Sequence, residues 1–113
     1  MKGKNATTAN VKIVGGYNYF VSMDASGKVY GWGQNNNGQL AQGNTTNYST
    51  PVYMGIDNAT DIATGAYYTL VLKEDGTVWS AGYNGNGELG NGTTANKTNF
   101  VQVIKTMAKH WII

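Results

Sequence analysis

The chain has 113 residues, with eight lysines, no arginine and six acidic groups, for a formal charge of +2. That length holds one small domain, and so mild a charge lacks the clustered Lys/Arg of a nucleic-acid surface, which argues against nucleic acid as a partner. Cysteine is absent, so there is no disulfide and no thiolate metal site; no run approaches the ~20 apolar residues of a membrane helix, and Met1–Asn10 lacks the apolar centre of a secretory signal, so neither a membrane span nor a signal peptide is expected.

In chain order, residues 1–9 carry no apolar alternation and read as a flexible N-terminal segment. From residue 10 onward the sequence repeats itself at a shift of 49 residues without a gap: Ile13/Ile62, Gly16/Gly65, Tyr19/Tyr68, Gly27/Gly76, Gly33/Gly82, Asn35/Asn84, Leu40/Leu89 and Val52/Val101. Sixteen glycines and a single proline, Pro51, place turns between short strands. A repeat near 50 residues with several strands per unit marks a propeller blade.

Within each unit, strand A is predicted over Val11–Gly15 (Thr60–Thr64) and strand B over Tyr19–Met23 (Tyr68–Leu72). The turns DASG (Asp24–Gly27) and KEDG (Lys73–Gly76) lead into strand C, Lys28–Gly33 (Thr77–Gly82). A long glycine-rich loop follows, and then a short strand D, Pro51–Met54 (Phe100–Val103), where Pro51 suits a sheet edge. Aromatic bulk on one parity of strand C and small residues on the other suit a sheet with a neighbour on each face. The repeats thus span 10–58 and 59–107, and Ala108–Ile113, aligned with Ala59–Thr64, reads as the first strand of a third blade. The fold class is all-β, with two four-stranded antiparallel propeller blades per chain.

The loop stretches GWGQNNNGQL (Gly31–Leu40) and AGYNGNGELG (Ala81–Gly90) belong to this architecture. Glycines give the chain backbone shapes that let it double back, asparagines hydrogen-bond the turn, and Leu40 or Leu89 plugs the core. Together with Gly16, Tyr19, DASGKVYGWG and GQLAQG, then Gly65, Tyr68, KEDGTVWSAG and GELGNG, these residues resemble the regulator-of-chromosome-condensation repeat over Asn10–Val103. Tyr19 and Tyr68 stand where that pattern has histidine, Ala81 replaces the tryptophan kept at Trp32, and Ala41 replaces the glycine kept at Gly90. The resemblance implies blades of a propeller that usually closes with seven, and relatives that work by surface contact, among them exchange factors for a small nuclear GTPase and bacterial inhibitors of β-lactamases.

Two blades cannot close a ring. A bare blade face of roughly 300 Å² forgoes on the order of 7 kcal/mol, so the ring is expected to be completed by oligomerisation, as a tetramer with eight blades or a trimer with six. No catalytic constellation is recognisable. GNGELG (Gly85–Gly90) fits a dinucleotide-loop pattern but has no helix after it, His110 is the lone histidine, and Asp24 and Asp75 sit in hairpin turns where a structural role is expected. No cofactor or metal is implied, and the chain is not expected to be an enzyme. Six N-x-[ST] triplets, at Asn5, Asn44, Asn47, Asn58, Asn91 and Asn96, would be acceptors only in a glycosylating compartment.

The A–B turns and C–D loops share one rim of a propeller, which gathers Tyr17, Asn18, Tyr48 and Tyr67 as candidate partner-binding residues. The leading expectation is a self-assembling protein-interaction scaffold. The alternatives are a carbohydrate-binding module at a cell surface, with a sugar stacked on Tyr17 or Tyr67, and an excerpt or engineered piece of a larger propeller without independent function.

Overall fold

A computed structural model describes residues 10–104. Its eight strands are β1 (Asn10–Gly15), β2 (Tyr19–Asp24), β3 (Val29–Gly33), β4 (Tyr48–Tyr53), β5 (Ala59–Thr64), β6 (Tyr68–Lys73), β7 (Val78–Gly82) and β8 (Lys97–Gln102). They form two four-stranded antiparallel sheets in the orders β1-β2-β3-β4 and β5-β6-β7-β8, two blades of a propeller. The segment 1–9, the strand expected at Ala108–Ile113 and His110 lie outside the described residues.

The hairpins follow from local chemistry. Asp24 Oδ1 accepts from the Ser26 amide (2.9 Å), the Ser26 hydroxyl (2.7 Å) and the Lys28 amide (3.0 Å), closing the β2–β3 turn. In the second blade the carboxylate has moved within the turn: Asp75 Oδ1 accepts from the amide (2.9 Å) and hydroxyl (2.6 Å) of Thr77. Strand D differs from the sequence expectation. It starts three residues earlier, at Tyr48 and Lys97, and ends at Tyr53 and Gln102. A register irregularity between Gly31 and Gly33, matched between Ser80 and Gly82, lets Tyr48 and Lys97 pair with the last glycine of strand C. Pro51 lies in β4, an edge strand, where its missing amide costs no ladder bond.

Register sets the faces. Tyr19, Val21 and Met23 lie opposite Gly33, Gly31 and Val29, so the bulk of β2 stands over the small residues of β3. This side of the first blade is buried against Ile62, Val71 and Ala81 of the second, all in one cluster with Leu40, Met54 and Ile56. Leu40 and Leu89 are fully buried, as loop plugs should be. Gly38 shows why the loop needs glycine: its φ is +87°, and a Cβ there would meet the Lys97 carbonyl at 2.7 Å. Ala41, at φ +57°, holds a left-handed conformation that Gly90 holds at +64° in the other repeat. The main cluster lies between the facing sides of the two sheets, while Ser80, Leu89 and Val103 are buried within the second blade away from it. The outward sides carry exposed Ile13, Phe20 and Leu72.

Candidate functional site

The A–B turns are built by the tyrosines that replace the histidines of the repeat pattern, Tyr19 fully buried and Tyr68 half-buried. A Cβ on Gly16 would strike the Tyr19 ring at 2.2 Å, so only glycine lets that ring lie under the turn. The Tyr19 hydroxyl donates across the blade boundary to the carbonyls of Tyr68 (2.5 Å) and Gly65 (3.1 Å). Burial raises the Tyr19 phenol well above its ordinary pKa, so it stays a neutral donor. The Tyr17 amide adds a second bridge between the turns, donating to the Ala66 carbonyl at 2.8 Å.

This bracing sets Tyr17 and Tyr67 side by side, with ring centroids 5.6 Å apart and planes at 72°. They are 59% and 38% exposed. Tyr83 extends the cluster, its ring 6.5 Å from Tyr67, while its amide donates to the Tyr67 carbonyl at 2.9 Å. Asn18 is exposed, at φ +63°, and its carbonyl accepts from the Gln34 amide at 2.8 Å, tying the A–B turn to the C–D loop. Tyr48 has a different setting: it is half-buried against the core, and its hydroxyl accepts from Asn44 Nδ2 at 2.9 Å. The structure thus joins Tyr17 to Tyr67, adds Tyr83, which the sequence reading did not single out, and makes Tyr48 an anchor of its loop. The signal for Tyr83 was available in its position directly after strand C, where the other repeat has Gln34.

Behind the rim the C–D loops are locked by two buried asparagines. Asn35 Oδ1 accepts from the Leu40 amide (2.8 Å) and its Nδ2 donates to the Asn44 carbonyl (3.0 Å). Asn84 Oδ1 accepts from the Leu89 amide (2.9 Å) and its Nδ2 donates to the carbonyls of Thr93 (2.9 Å) and Ala95 (3.0 Å). Asn47 and Asn96 accept the amides of Asn35 and Asn84, each at 2.9 Å. Four asparagines of the N-x-[ST] triplets, Asn44, Asn47, Asn91 and Asn96, therefore spend their side-chain amides bracing loops.

Other concavities lie at blade surfaces, one of about 240 Å³ on the first blade between Ser22, Tyr30, Trp32 and Pro51. A cleft of about 320 Å³ between the blades is lined by Met54, Ile56, Trp79 and Phe100, with Lys73 Nζ 5.8 Å from the Trp79 ring centroid. A depression of about 260 Å³ on the outward side of the second blade is lined by Ala63, Leu70, Leu72 and Asp61. Lys12 pairs with Asp61 across the blade boundary at an exposed position, and this pairing holds the Asp61 carboxyl below its usual range. Among the described residues no group of three His, Cys, Asp or Glu side chains is placed to hold a metal ion.

Comparison with solved structures shows the same architecture. The crystal structure of yeast RCC1 (Prp20) bound to Kap60 superposes with a TM-score of 0.72 at 22% identity, over 82% of this chain and 22% of that one. Human WBSCR16 gives 0.74 at 23% identity, over 88% and 26%. Prp20p from Saccharomyces cerevisiae, in a structure whose report concerns binding to Gsp1p and histones, gives 0.69 at 22% identity, over 85% and 24%. The chain spans about a quarter of the length of these proteins. In the sequence, a family model described as "Regulator of chromosome condensation (RCC1) repeat" matches residues 26–72, and a second of the same description matches 11–39 and 59–88. With the hairpin turns, the buried loop asparagines and the Leu40 plug falling inside those spans, the chain belongs to the regulator of chromosome condensation repeat family.

Proposed function

We propose that this chain is a non-catalytic interaction module that assembles with copies of itself and binds a protein partner through its loop-bearing rim. The observation that carries the rim reading is the Tyr17–Tyr67–Tyr83 cluster, open to solvent yet fixed by the inter-blade Tyr17–Ala66 backbone bond and the Tyr83–Tyr67 bond within the second blade. Such groups lose little conformational entropy on binding, which is why tyrosine serves so often at recognition surfaces. The Kap60 complex of the similar yeast propeller supports protein contact as the working mode of this fold. Self-assembly is supported by Ile13, Phe20 and Leu72, exposed on the two outward blade faces.

Comparative pull-down with wild type and the Tyr17→Ser/Tyr67→Ser double variant tests the rim. Proteins retained by wild type and lost by the double variant, at unchanged melting temperature, support it. Equal retention by both removes the rim from the proposal, and glycan-array binding abolished by Tyr17→Ser would assign the rim to carbohydrate. Light scattering tests assembly: a folded monomer at micromolar concentration overturns that half.

A further inference from the structure

Inside the chain, β5 lies across β1 and β2, and Ile62, 2% exposed, joins the cluster of Val21 and Met23, with Val14 packed at its edge. One repeat further on, Val14, Val21 and Met23 become Ala63, Leu70 and Leu72. These three line the open 260 Å³ depression on the outward side of the second blade. One repeat back, Ile62 becomes Ile13, which stands 54% exposed on the outward side of the first blade. Among the described residues, one end of the two-blade array therefore carries a hole, and the other carries the residue that fills the equivalent hole at the internal seam.

The charges agree with this match. Lys12 and Asp61 occupy equivalent positions with opposite sign and pair at the internal seam. Joined head to tail, two copies set Asp61, on the lip of the hole, against Lys12, next to the Ile13 knob, an opposite-charge pair like that of the seam with the two signs exchanged. Joined by like ends, they oppose Lys12 to Lys12 or Asp61 to Asp61, which is unfavourable. Phe20 and Trp32, stacked 5.7 Å apart on the first blade where the second has Thr69 and Ala81, add apolar surface to the knob end.

We propose that the outward face of the second blade binds the outward face of the first blade of another copy of this chain, head to tail. Ile13 seats in the Ala63–Leu70–Leu72 depression, and Lys12 lies against Asp61. The proposal rests on the self-assembly reading above and specifies its interface, a heterologous one that closes a ring or extends as an array.

The test uses Ile13→Glu, which spoils the knob, and Leu72→Glu, which spoils the hole. Both positions are exposed, so each variant should fold, with circular dichroism as the check. Where folding fails, Lys12→Asp or Asp61→Lys takes the place of the failed variant at the same end. At a concentration where wild type assembles, light scattering should find each variant alone at the mass of one chain. An equimolar mixture should give particles of two chains, because one good knob meets one good hole. Self-association of Ile13→Glu alone, or wild-type assembly by both variants, overturns the head-to-tail interface while leaving self-assembly intact. A monomeric wild type overturns both, and hydrogen-exchange protection of residues 108–113 in that monomer would name the chain's own C-terminal segment as the occupant of the hole.

Discussion

Asp24 and Asp75 do similar work from different places in the same turn. Asp24 is buried at the end of β2 and satisfies two amides and a hydroxyl with one oxygen. Its repeat equivalent is Lys73, while Asp75 stands at the position of Ser26 and serves Thr77 alone. Asp24→Ala should therefore destabilise the chain by about 2 kcal/mol in urea titration, the scale of hydrogen bonds to a charged acceptor, and Asp75→Ala by less. Burial pushes the Asp24 carboxyl up, but the hydroxyl and amide of Ser26 and the amide of Lys28 outweigh it and hold the folded pKa below the ordinary value. A depressed folded pKa gives stability that is complete above the unfolded pKa of about 4 and is lost as pH falls through the folded one. Acid titration of wild type against Asp24→Ala should show the gap between them closing below about pH 4. A gap constant down to about pH 2 would mean that the charge contributes nothing.

At the scale of the elements, the C–D loops are long stretches without secondary structure, each organised around a fully buried asparagine, Asn35 or Asn84. Asn84→Ala would leave the Leu89 amide, 2.9 Å from Asn84 Oδ1, without its partner in the core, along with the carbonyls of Thr93 and Ala95. The expected loss is about 3 kcal/mol, larger than for one ordinary hydrogen bond because a buried donor is orphaned. Hydrogen exchange should show it as faster exchange at Leu89, with Asn84→Asp, which keeps the acceptor, in between. Such bracing was hardly legible in the sequence. The repeat register, the turn glycines and the leucine plugs could be read because their signals are local and recur at 49 residues, whereas Asn84 reaches acceptors nine and eleven residues away, a distance at which no periodicity points. The early start of strand D was missed for a related reason. Tyr48–Thr50 and Lys97–Asn99 are too polar to show alternation, and they enter the sheet because the loop delivers them opposite Gly33 and Gly82. On the rim, the pairing of Tyr17 with Tyr67 could be anticipated from the blade layout, but the part of Tyr83 depends on a side-chain direction that spacing does not supply.

For the molecule as a whole, the repeat provides its own control. Ile13 and Ile62 occupy the same position in β1 and β5, yet Ile62 is 2% exposed and Ile13 54%, the difference being the blade that covers one and not the other. Because the buried cluster draws on both sheets, the two blades should unfold together. Ile62→Ala should cost about 3 kcal/mol, within the range for aliphatic truncation in a core, and should lower hydrogen-exchange protection in both sheets alike. In dilute solution Ile13→Ala should cost less than about 1 kcal/mol, since little apolar area leaves water with it. The comparison then becomes a gauge of assembly when repeated at rising protein concentration. If copies join head to tail, the cost of Ile13→Ala grows with concentration toward that of Ile62→Ala, because mass action loads the covered state, while the cost of Ile62→Ala stays level. Two costs that remain far apart at every concentration would leave the outer face of the first blade uncovered by its own kind.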